Sequence, residues 1–307
     1  MESVASYTRH TARVLAFPCV FVGSLAAAWW GLESGFSASM VVFGTSTAAA
    51  IAITLLERLL PFQKEWSRNH GDVPTDLFYV ISSLFAAPRL FDILALTALF
   101  ELASMLPFGG GIWPVALPWG VQLVLAVVVA ELGGYWWHRL LHERPLLFRL
   151  HATHHSAPRL YWLNATRFHP FDNVILYGVQ VFPLIIAGAN ESVLVGFTVW
   201  SLVHGFFQHG NVDVRLGPLN YLFSMAELHR WHHSRELEEA NRNYGSNCIL
   251  WDLIFGTFYW PKDRTPPSNV GLSGLPDFPQ RVVPQLLSPF LWPTGRTTSR
   301  LRGDVVE

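Results

Sequence analysis

The sequence predicts an all-α integral membrane protein with about four transmembrane helices, a further re-entrant or interfacial helical hairpin, and a cytosolic helical cap. Three observations support this fold class. Hydrophobic residues make up 51% of the 307 residues and charged residues only 14%, whereas roughly 25% of residues are charged in soluble domains. Several apolar runs are long enough for a helix of about 20 residues that crosses a bilayer. Histidine is concentrated in the segments that follow these runs.

The apolar runs define the predicted spans. The third run, 77–106, is too long for one straight span and contains Pro88, Arg89 and Asp92. We therefore expect it to break near Pro88 into a short interfacial piece and a spanning helix. Four runs are long enough to span: 12–30, 40–60, 77–106 and 119–137.

The positive charges between the runs predict the orientation. The N-terminus carries Arg9 and Arg13, and Lys64 and Arg68 follow the second run, whereas the loops 31–39 and 107–118 contain neither Lys nor Arg. Positive residues mark the cytoplasmic side, so the N-terminus and everything after Trp137 are expected in the cytoplasm.

Two later apolar runs, 174–189 and 193–207, predict a membrane-embedded hairpin over 174–207. It must cross the membrane an even number of times, because histidine groups on both sides of it have to meet on one face. The expected organisation is therefore a membrane-spanning region (1–137), a histidine-rich catalytic region (138–261) and an irregular cytoplasmic tail (262–307).

Charge and cysteine content exclude some classes of function. The formal net charge is −1 and no basic stripe is present, so nucleic acid is not an expected partner. Cys19 and Cys248 lie far apart and form no C-x-x-C pair, which gives no indication of a disulfide framework or a thiolate zinc site.

The histidines are clustered in the sequence at regular spacings. Positions 138 to 233 contain 11 of the 13 histidines, ten of them in the groups HRLLH, HATHH, HGFFQH and HRWHH. Residues three or four apart share one face of a helix, so these spacings predict metal ligands. His204 and His209 are five apart and can share an ion only if the helix is irregular there; Gly205 and Gly210 favour such an irregularity.

Ten imidazoles in these groups exceed what one ion takes, so two ions are predicted. Imidazole suits zinc, copper, iron and nickel, so ligand type does not select the metal. Glu143, Glu227, Asp172 and Asp252 lie near the groups and are expected to accept hydrogen bonds from imidazole N–H groups. An all-histidine pair that faces a membrane is typical of an iron centre that activates oxygen on a lipid.

The motifs HRLLH, HATHHS, NATRFHPFD, HGFFQHGNVDVRLGPLNYLF, ELHRWHHSR and NYGSNCILWDLIFGTFYWP span about 138–261. In order and spacing they resemble the fatty acid hydroxylase and sterol desaturase superfamily of integral-membrane non-haem di-iron enzymes. The resemblance implies four transmembrane helices under a cytosolic cap, with two irons near the membrane surface. It implies as iron ligands His138, His142, His151, His154, His155, His204, His209, His229, His232 and His233.

The resemblance also implies hydroxylation, or desaturation, of a membrane lipid with O2, without selecting among fatty acyl chains, sterols, ether lipids, carotenoids and aminolipids. His169 matches a recurrent Arg-x-His-Pro element and is expected beside the ligands or as a further ligand. Asp172 stands where the family often has Glu. Some members carry a fused cytochrome domain with a His-Pro-Gly-Gly element. This chain has none, so the electrons are expected from a separate ferredoxin or cytochrome with its reductase.

Four residues are candidates for contact with the substrate. Asn164 and Arg167 could meet a polar headgroup, and Trp137 and Trp162 could line an apolar entrance. The alternatives are an ion pair between Arg167 and Asp172, and an interfacial aromatic belt for the tryptophans.

Two other functions compete with the oxygenase. A membrane zinc hydrolase would use zinc-bound water but lacks a carboxylate base within the ligand groups, and zinc could also replace iron in the purified protein. The second is a metal-binding or metal-transport protein; transport would require ligands near mid-bilayer, whereas these groups lie at or beyond a cytoplasmic end. The excess of Arg over Lys and the lack of a retention signal favour a bacterial inner membrane. The sequence does not predict an oligomeric state.

Overall fold

The computed structural model describes residues 2–86, 111–275 and 277–292. Within these ranges the secondary structure is helical, with isolated β-bridges and no strand. The helices, numbered over the described residues, are α1 (Glu2–Glu33), α2 (Ala38–Leu59), α3 (Val73–Ile81), α4 (Trp119–Glu143), α5 (Pro145–His155), α6 (Pro170–Ala187), α7 (Glu191–His209), α8 (Ala226–His232), α9 (Leu237–Ala240), α10 (Leu250–Phe255) and α11 (Val282–Leu291).

Four helices of the described ranges are long and apolar enough to cross a membrane: Ser6–Glu33 within α1, α2, α4 and α6. The predicted all-helical membrane fold is thereby confirmed. Three of these helices coincide with predicted spans, and α6 is the first arm of the predicted hairpin. The predicted span 77–106 lies mostly outside the described residues; its described part is the end of α3 and one π-helical turn, Ser82–Ala86.

The second arm of the predicted hairpin, α7, is the central helix of the bundle. It packs against α1, α2 and α4, and its Val199, Val203 and Phe207 side chains are fully buried. Among membrane helices such burial stabilises the fold through close van der Waals packing, because the lipid is as apolar as the side chains. Because α7 is enclosed by protein, it ends in a fixed position that sets His209 at the site described below.

Helices α4 and α6 approach each other closely at a pair of glycines. A Cβ atom on Gly133 would lie 2.3 Å from the carbonyl oxygen of Val179, and one on Gly134 would lie 2.7 Å from Nε2 of Gln180. Small residues of this kind allow membrane helices to pack at short backbone distances. The contact fixes α4 against the middle of α6, the helix whose first turn carries Asp172.

Helices α5 and α8–α11 lie outside the four candidate spans. The C-terminal region, expected to be irregular, contains the ten-residue helix α11, which packs on α5. Its polar residues Gln285 and Ser288 are buried, whereas Val283 and Phe290 are 65% exposed. Gln285 donates hydrogen bonds to the Ser156 hydroxyl and the Pro279 carbonyl, and this polar contact orders the helix without an apolar core.

Candidate metal centre

Nine of the ten predicted ligand histidines form two groups. Within each group the candidate ligand atoms lie within 4.8 Å of one another. The five-histidine group consists of His138, His142, His151, His155 and His232, and the four-histidine group consists of His154, His209, His229 and His233. All nine side chains are buried.

Helices α5 and α8 each supply both groups through one H-x-x-H-H motif. On α5, His151 and His155 are four residues apart, share a face and enter the five-histidine group, whereas His154, about 100° around the helix from His155, enters the other group. At α8, His229 and the C-cap residue His233 enter the four-histidine group, and His232 enters the five-histidine group. The last turns of α4 and α7 supply the remaining ligands, so four helix ends converge on one centre.

Hydrogen bonds fix the protonation of two rings in the five-histidine group. His138 Nδ1 lies 2.7 Å from the carbonyl oxygen of Tyr244, and His151 Nδ1 lies 2.9 Å from Oδ2 of Asp172. Neither oxygen can donate, so in the neutral rings each Nδ1 carries the proton and each Nε2 presents a lone pair. These Nε2 atoms lie 3.0 Å apart, an arrangement that a metal cation bound to both would stabilise.

Three further rings have their Nδ1 on oxygen acceptors. His142 Nδ1 lies 3.2 Å from Oδ1 of Asn241, and His232 Nδ1 lies 2.8 Å from the Arg242 carbonyl oxygen. The Nε2 atoms of both rings are buried without a hydrogen-bond partner among the described residues. His209 Nδ1 faces the Gly205 carbonyl oxygen at 3.3 Å. Metal-bound histidines usually donate their second N–H in this way.

The distances between ring nitrogens in the four-histidine group also suit a metal ion. The Nε2 atom of His229 lies 3.1 Å from that of His209 and 2.9 Å from that of His233, and His209 and His154 are 3.2 Å apart by the same atoms. Ligands about 2.1 Å from one ion, at angles between 90° and tetrahedral, are themselves separated by about 3.0–3.4 Å. The residues present therefore fit a metal ion in each group.

Burial keeps these rings in the neutral form that ligates metal. It lowers the pKa of His154, His155, His229 and His233 well below 6.5, with the neighbouring imidazoles acting in the same direction. Burial lowers the pKa of His232 to about 3. Neutral imidazoles keep a ring nitrogen lone pair for a metal ion, because a histidine must be deprotonated to act as a ligand.

Asp172 links the centre to the membrane helices. Its Oδ2 accepts from His151, and its Oδ1 accepts from the indole N–H of Trp137 at 2.8 Å. Asp172 is fully buried in the first turn of α6, where the helix dipole favours a negative charge. Trp137, expected near the substrate, is thus one hydrogen bond from a carboxylate that orients a candidate ligand.

Asp252 and Glu131 support the loop after α9. Asp252 accepts hydrogen bonds from the Tyr244 and Gly245 amides, both at 2.8 Å, and so fixes the peptide whose carbonyl holds His138. Glu131, inside span α4, accepts from the Asn247 amide and side chain. Sequence reasoning missed Glu131, although a carboxylate within an apolar span is itself a signal for function. It also missed the carbonyl acceptors, which have no side-chain signature.

His204, an expected ligand, belongs to neither group. Helix α7 is regular from Glu191 to His209, and Gly205 introduces no irregularity. The side chain of His204 therefore lies about 140° around the helix from that of His209, and its ring packs against Phe17 and Phe223. The two groups therefore contain nine of the ten expected ligands, and His204 lies in an aromatic contact outside them.

His169, Glu143 and Glu227 also lie away from the two groups. Nδ1 of His169 accepts from the Phe171 amide at the start of α6, and its Nε2 lies 3.1 Å from the Leu286 carbonyl of α11, so it joins two helices. Glu143 pairs with Arg139 at 2.7 Å on the surface. Glu227 accepts from the Leu216 amide at 2.6 Å.

Three of the four candidates for substrate contact make contacts within the protein. Arg167 is fully buried and pairs with Asp76 at 3.0 Å, so the alternative of an Arg167–Asp172 pair is wrong. Asn164 donates to the Arg159 carbonyl at 2.7 Å within a turn. The backbone N–H of Trp162 donates to a carboxylate of α2, and its ring packs on Phe206.

Comparison with known proteins identifies the relatives of this chain. Residues 123–257 match the family model "Fatty acid hydroxylase". The ornithine lipid hydroxylase of Rhizobium tropici is 35% identical over 280 residues, which cover 90% of this chain and 83% of that protein. Human alkylglycerol monooxygenase is 33% identical over 147 residues, and rat methylsterol monooxygenase 1 is 30% identical over 133 residues.

The matches differ in extent. The alkylglycerol monooxygenase match covers 46% of this chain and 32% of that protein, and the methylsterol monooxygenase match covers 42% and 44%. The chain thus spans less than half the length of these two relatives. No solved structure matches the chain.

Proposed function

The chain belongs to the fatty acid hydroxylase family, and from this premise we propose that it is a membrane-bound di-iron monooxygenase that hydroxylates a lipid with O2. The observation that carries the proposal is the convergence of nine buried imidazoles in two groups, with lone pairs facing each other at 3.0 Å in the His138–His151 pair. The resemblance predicted from the motifs is confirmed at the level of the family.

The size of the groups favours iron over zinc. Zinc sites in proteins almost always have four ligands, and catalytic ones keep one position for water. Five imidazoles in one group exceed that number. Neither group includes a carboxylate among the described residues, so a hydrolase base is missing, and Asp172 is occupied by two donors.

A bound iron pair would supply the activation of O2 for insertion of an oxygen atom into a C–H bond. The chain's own residues do the rest. They present neutral imidazoles, hold five of the nine rings through hydrogen bonds at Nδ1, and exclude water by burying the nine side chains. Asp172 holds His151 at a fixed angle, and the carbonyl of Tyr244 does the same for His138.

An aminolipid is the substrate class best supported by the comparisons. A relative that aligns over 90% of this chain is named an ornithine lipid hydroxylase, and so long an alignment includes spans as well as the histidine groups. The ether-lipid and sterol enzymes align with less than half of the chain. All three names describe hydroxylation or monooxygenation, which favours hydroxylation over desaturation.

The proposal includes a separate electron donor and an orientation of the protein in the membrane. Residues 138–261 form the catalytic region, with the hairpin 174–207 embedded in the membrane and the histidine groups on its cytoplasmic side; for a bacterial chain this is the inner membrane. A separate ferredoxin or cytochrome with its reductase supplies two electrons per turnover. The substrate enters from the bilayer beside the end of α4, where Trp136 is 40% exposed.

The test is the fate of labelled oxygen in lipids. The full chain is expressed in a bacterial host that makes ornithine lipids, under ¹⁸O2, and the lipids are compared by mass spectrometry with those of cells that express His154→Ala. We expect one labelled oxygen atom in an ornithine lipid with the wild-type chain and none with the variant. Lipid hydrolysis without oxygen, or metal movement without lipid change, would instead support the zinc hydrolase or the transporter.

A further inference from the structure

Two tyrosine rings lead away from the five-histidine group. The Tyr244 ring centroid lies 5.4 Å from that of His142 and 5.7 Å from that of His138. The Tyr135 ring lies 5.9 Å from that of Tyr244 by centroids, and Trp136 follows at 5.6 Å from Tyr135. Tyrosine and tryptophan are the side chains most readily oxidised by one electron, and Trp136 is 40% exposed. The chain of rings therefore connects the candidate metal centre with the surface.

The hydroxyl group of Tyr135 has a defined proton acceptor. Arg139 donates to the Tyr135 oxygen at 3.1 Å, and the Thr257 hydroxyl donates to Oδ1 of Asp252 at 2.6 Å. The Tyr135 hydroxyl lies 3.0 Å from Oγ1 of Thr257. Because the Thr257 proton is already directed at the carboxylate, the Tyr135 proton must be directed at Thr257. The result is a one-way chain of hydrogen bonds from a phenol to a carboxylate.

We propose that Tyr135, reached from the metal centre through the ring of Tyr244, is a redox relay that gives an electron to the oxidised centre when no lipid is bound, while its proton passes through Thr257 to Asp252. The proposal rests on the proposed oxygenase function. It assigns these residues a protective role: an oxidising equivalent that finds no substrate is moved away from the histidine ligands.

The step balances in electrons and protons. Tyr135 loses one electron and one proton and becomes a neutral radical; the oxidised centre is reduced by that electron. The Tyr135 proton moves to Oγ1 of Thr257 as the Thr257 proton moves to Asp252. The one-electron donor protein that feeds the centre later returns an electron to Tyr135, and Asp252 returns the proton.

The surroundings favour a radical at Tyr135 over one at Trp136. The Arg139 guanidinium lies 5.4 Å from the Trp136 ring centroid, and its positive charge disfavours a tryptophan cation radical. Tyr135 loses its proton and carries no net charge when oxidised. Burial raises the pKa of Asp252 to about 6, so this carboxylate accepts a proton more readily than an exposed aspartate.

The experiment uses the iron-loaded, detergent-purified full chain, chemically reduced and then mixed with O2 without lipid. Samples frozen at successive times are measured by electron paramagnetic resonance, and the oxidised residues are mapped by mass spectrometry. We expect a tyrosyl radical in the wild type that is absent in Tyr135→Phe, together with a several-fold increase of oxidised histidine in the two groups. Tyr221→Phe, an exposed tyrosine that contacts Phe258 and Trp260, is the control and should retain the radical.

A second pair of variants separates the relay from simple packing. Thr257→Val removes the hydroxyl group and should suppress the radical, whereas Thr257→Ser retains it and should restore the wild-type signal. An unchanged radical and damage pattern in Tyr135→Phe overturns the relay, as does the absence of a radical in wild-type protein that hydroxylates lipid. A wild-type protein that binds no iron and hydroxylates nothing overturns the proposed function and the relay together.

Discussion

The Nε2 atoms of His138 and His151 lie 3.0 Å apart while the Nδ1 atom of each ring faces an oxygen that can only accept a hydrogen bond. Two neutral rings in this arrangement direct lone pairs at each other, which is unfavourable in a buried site with no charge between them. A bound cation removes the conflict.

Substitution of His204 and of His209 distinguishes the nine ligands of the two groups from the ten ligands implied by the family resemblance. We expect His209→Ala to lose most of the iron of the four-histidine group, because His209 Nε2 lies 3.2 Å from His154 Nε2. His204→Ala should retain the wild-type iron content, because its ring lies in an aromatic contact outside both groups. The measurement is iron per chain after purification in detergent. An equal loss in both variants would restore the ten-ligand set implied by the family resemblance.

Asp172 orients His151, and its loss should weaken iron binding. Replacement of a residue that holds a metal-bound histidine typically costs about 10–100-fold in metal affinity. Asp172→Ala should reach this range, measured as iron retained against a chelator series. Trp137→Phe removes only the donor to the other carboxylate oxygen and should have a smaller effect. The same affinity in Asp172→Ala and wild type would contradict the role of this carboxylate.

Glu131 and Glu143 are a matched pair of carboxylates on α4. Glu131 is fully buried and accepts from the Asn247 amide and side chain, so Glu131→Ala leaves buried donors without partners at about 1–3 kcal/mol each. Glu143 lies on the surface, where an ion pair contributes about 0–1 kcal/mol. We expect thermal unfolding at a clearly lower temperature for Glu131→Ala and little change for Glu143→Ala. Equal shifts would contradict the assignment.

Arg167 should behave as a structural residue. It forms a fully buried ion pair with Asp76, and removal of one partner of such a pair costs about 3–5 kcal/mol. Arg167→Met alone should reduce the yield of folded protein, and the double variant Arg167→Met, Asp76→Leu should recover much of it. Folded Arg167→Met protein with unaltered stability but weaker lipid binding would instead place Arg167 at the substrate.

Acid should destabilise the protein through its buried histidines. Burial holds the pKa of His232 at about 3 and that of His154 well below 6.5. Below pH 6.5 the unfolded chain therefore binds more protons than the folded chain, so the free energy of unfolding decreases as the pH falls from about 6.5 toward 3. We expect a lower unfolding temperature and loss of iron between about pH 7.5 and pH 5. A flat profile over this window would contradict the neutral, buried cluster.

The sequence predicted the site better than the membrane topology, for physical reasons. Side chains four residues apart share a helix face, so HATHH and HRWHH already indicated which histidines converge. The position of His204 depended on whether α7 stayed regular beside Gly205, which spacing alone does not decide. The acceptors at Tyr244 and Arg242 are backbone carbonyls, which any residue type could supply.

The membrane helices were harder because hydropathy does not distinguish lipid from an apolar protein interior. Runs 174–189 and 193–207 look alike in sequence, yet α6 is a candidate span whereas α7 is enclosed by α1, α2 and α4. The structure of α11 was missed because its buried side is polar, with Gln285 facing Ser156, the reverse of the pattern used to predict helices. The predicted break near Pro88 lies outside the described residues and stays a prediction.

The central claim is that each histidine group holds one iron. The most direct test is the iron content per chain of detergent-purified protein from iron-replete cells, for the wild type, for His142→Ala in the five-histidine group and for His233→Ala in the four-histidine group. We predict two irons per chain in the wild type and about one or fewer in each variant. Two zinc ions per chain, or two irons that survive both substitutions, would contradict the account.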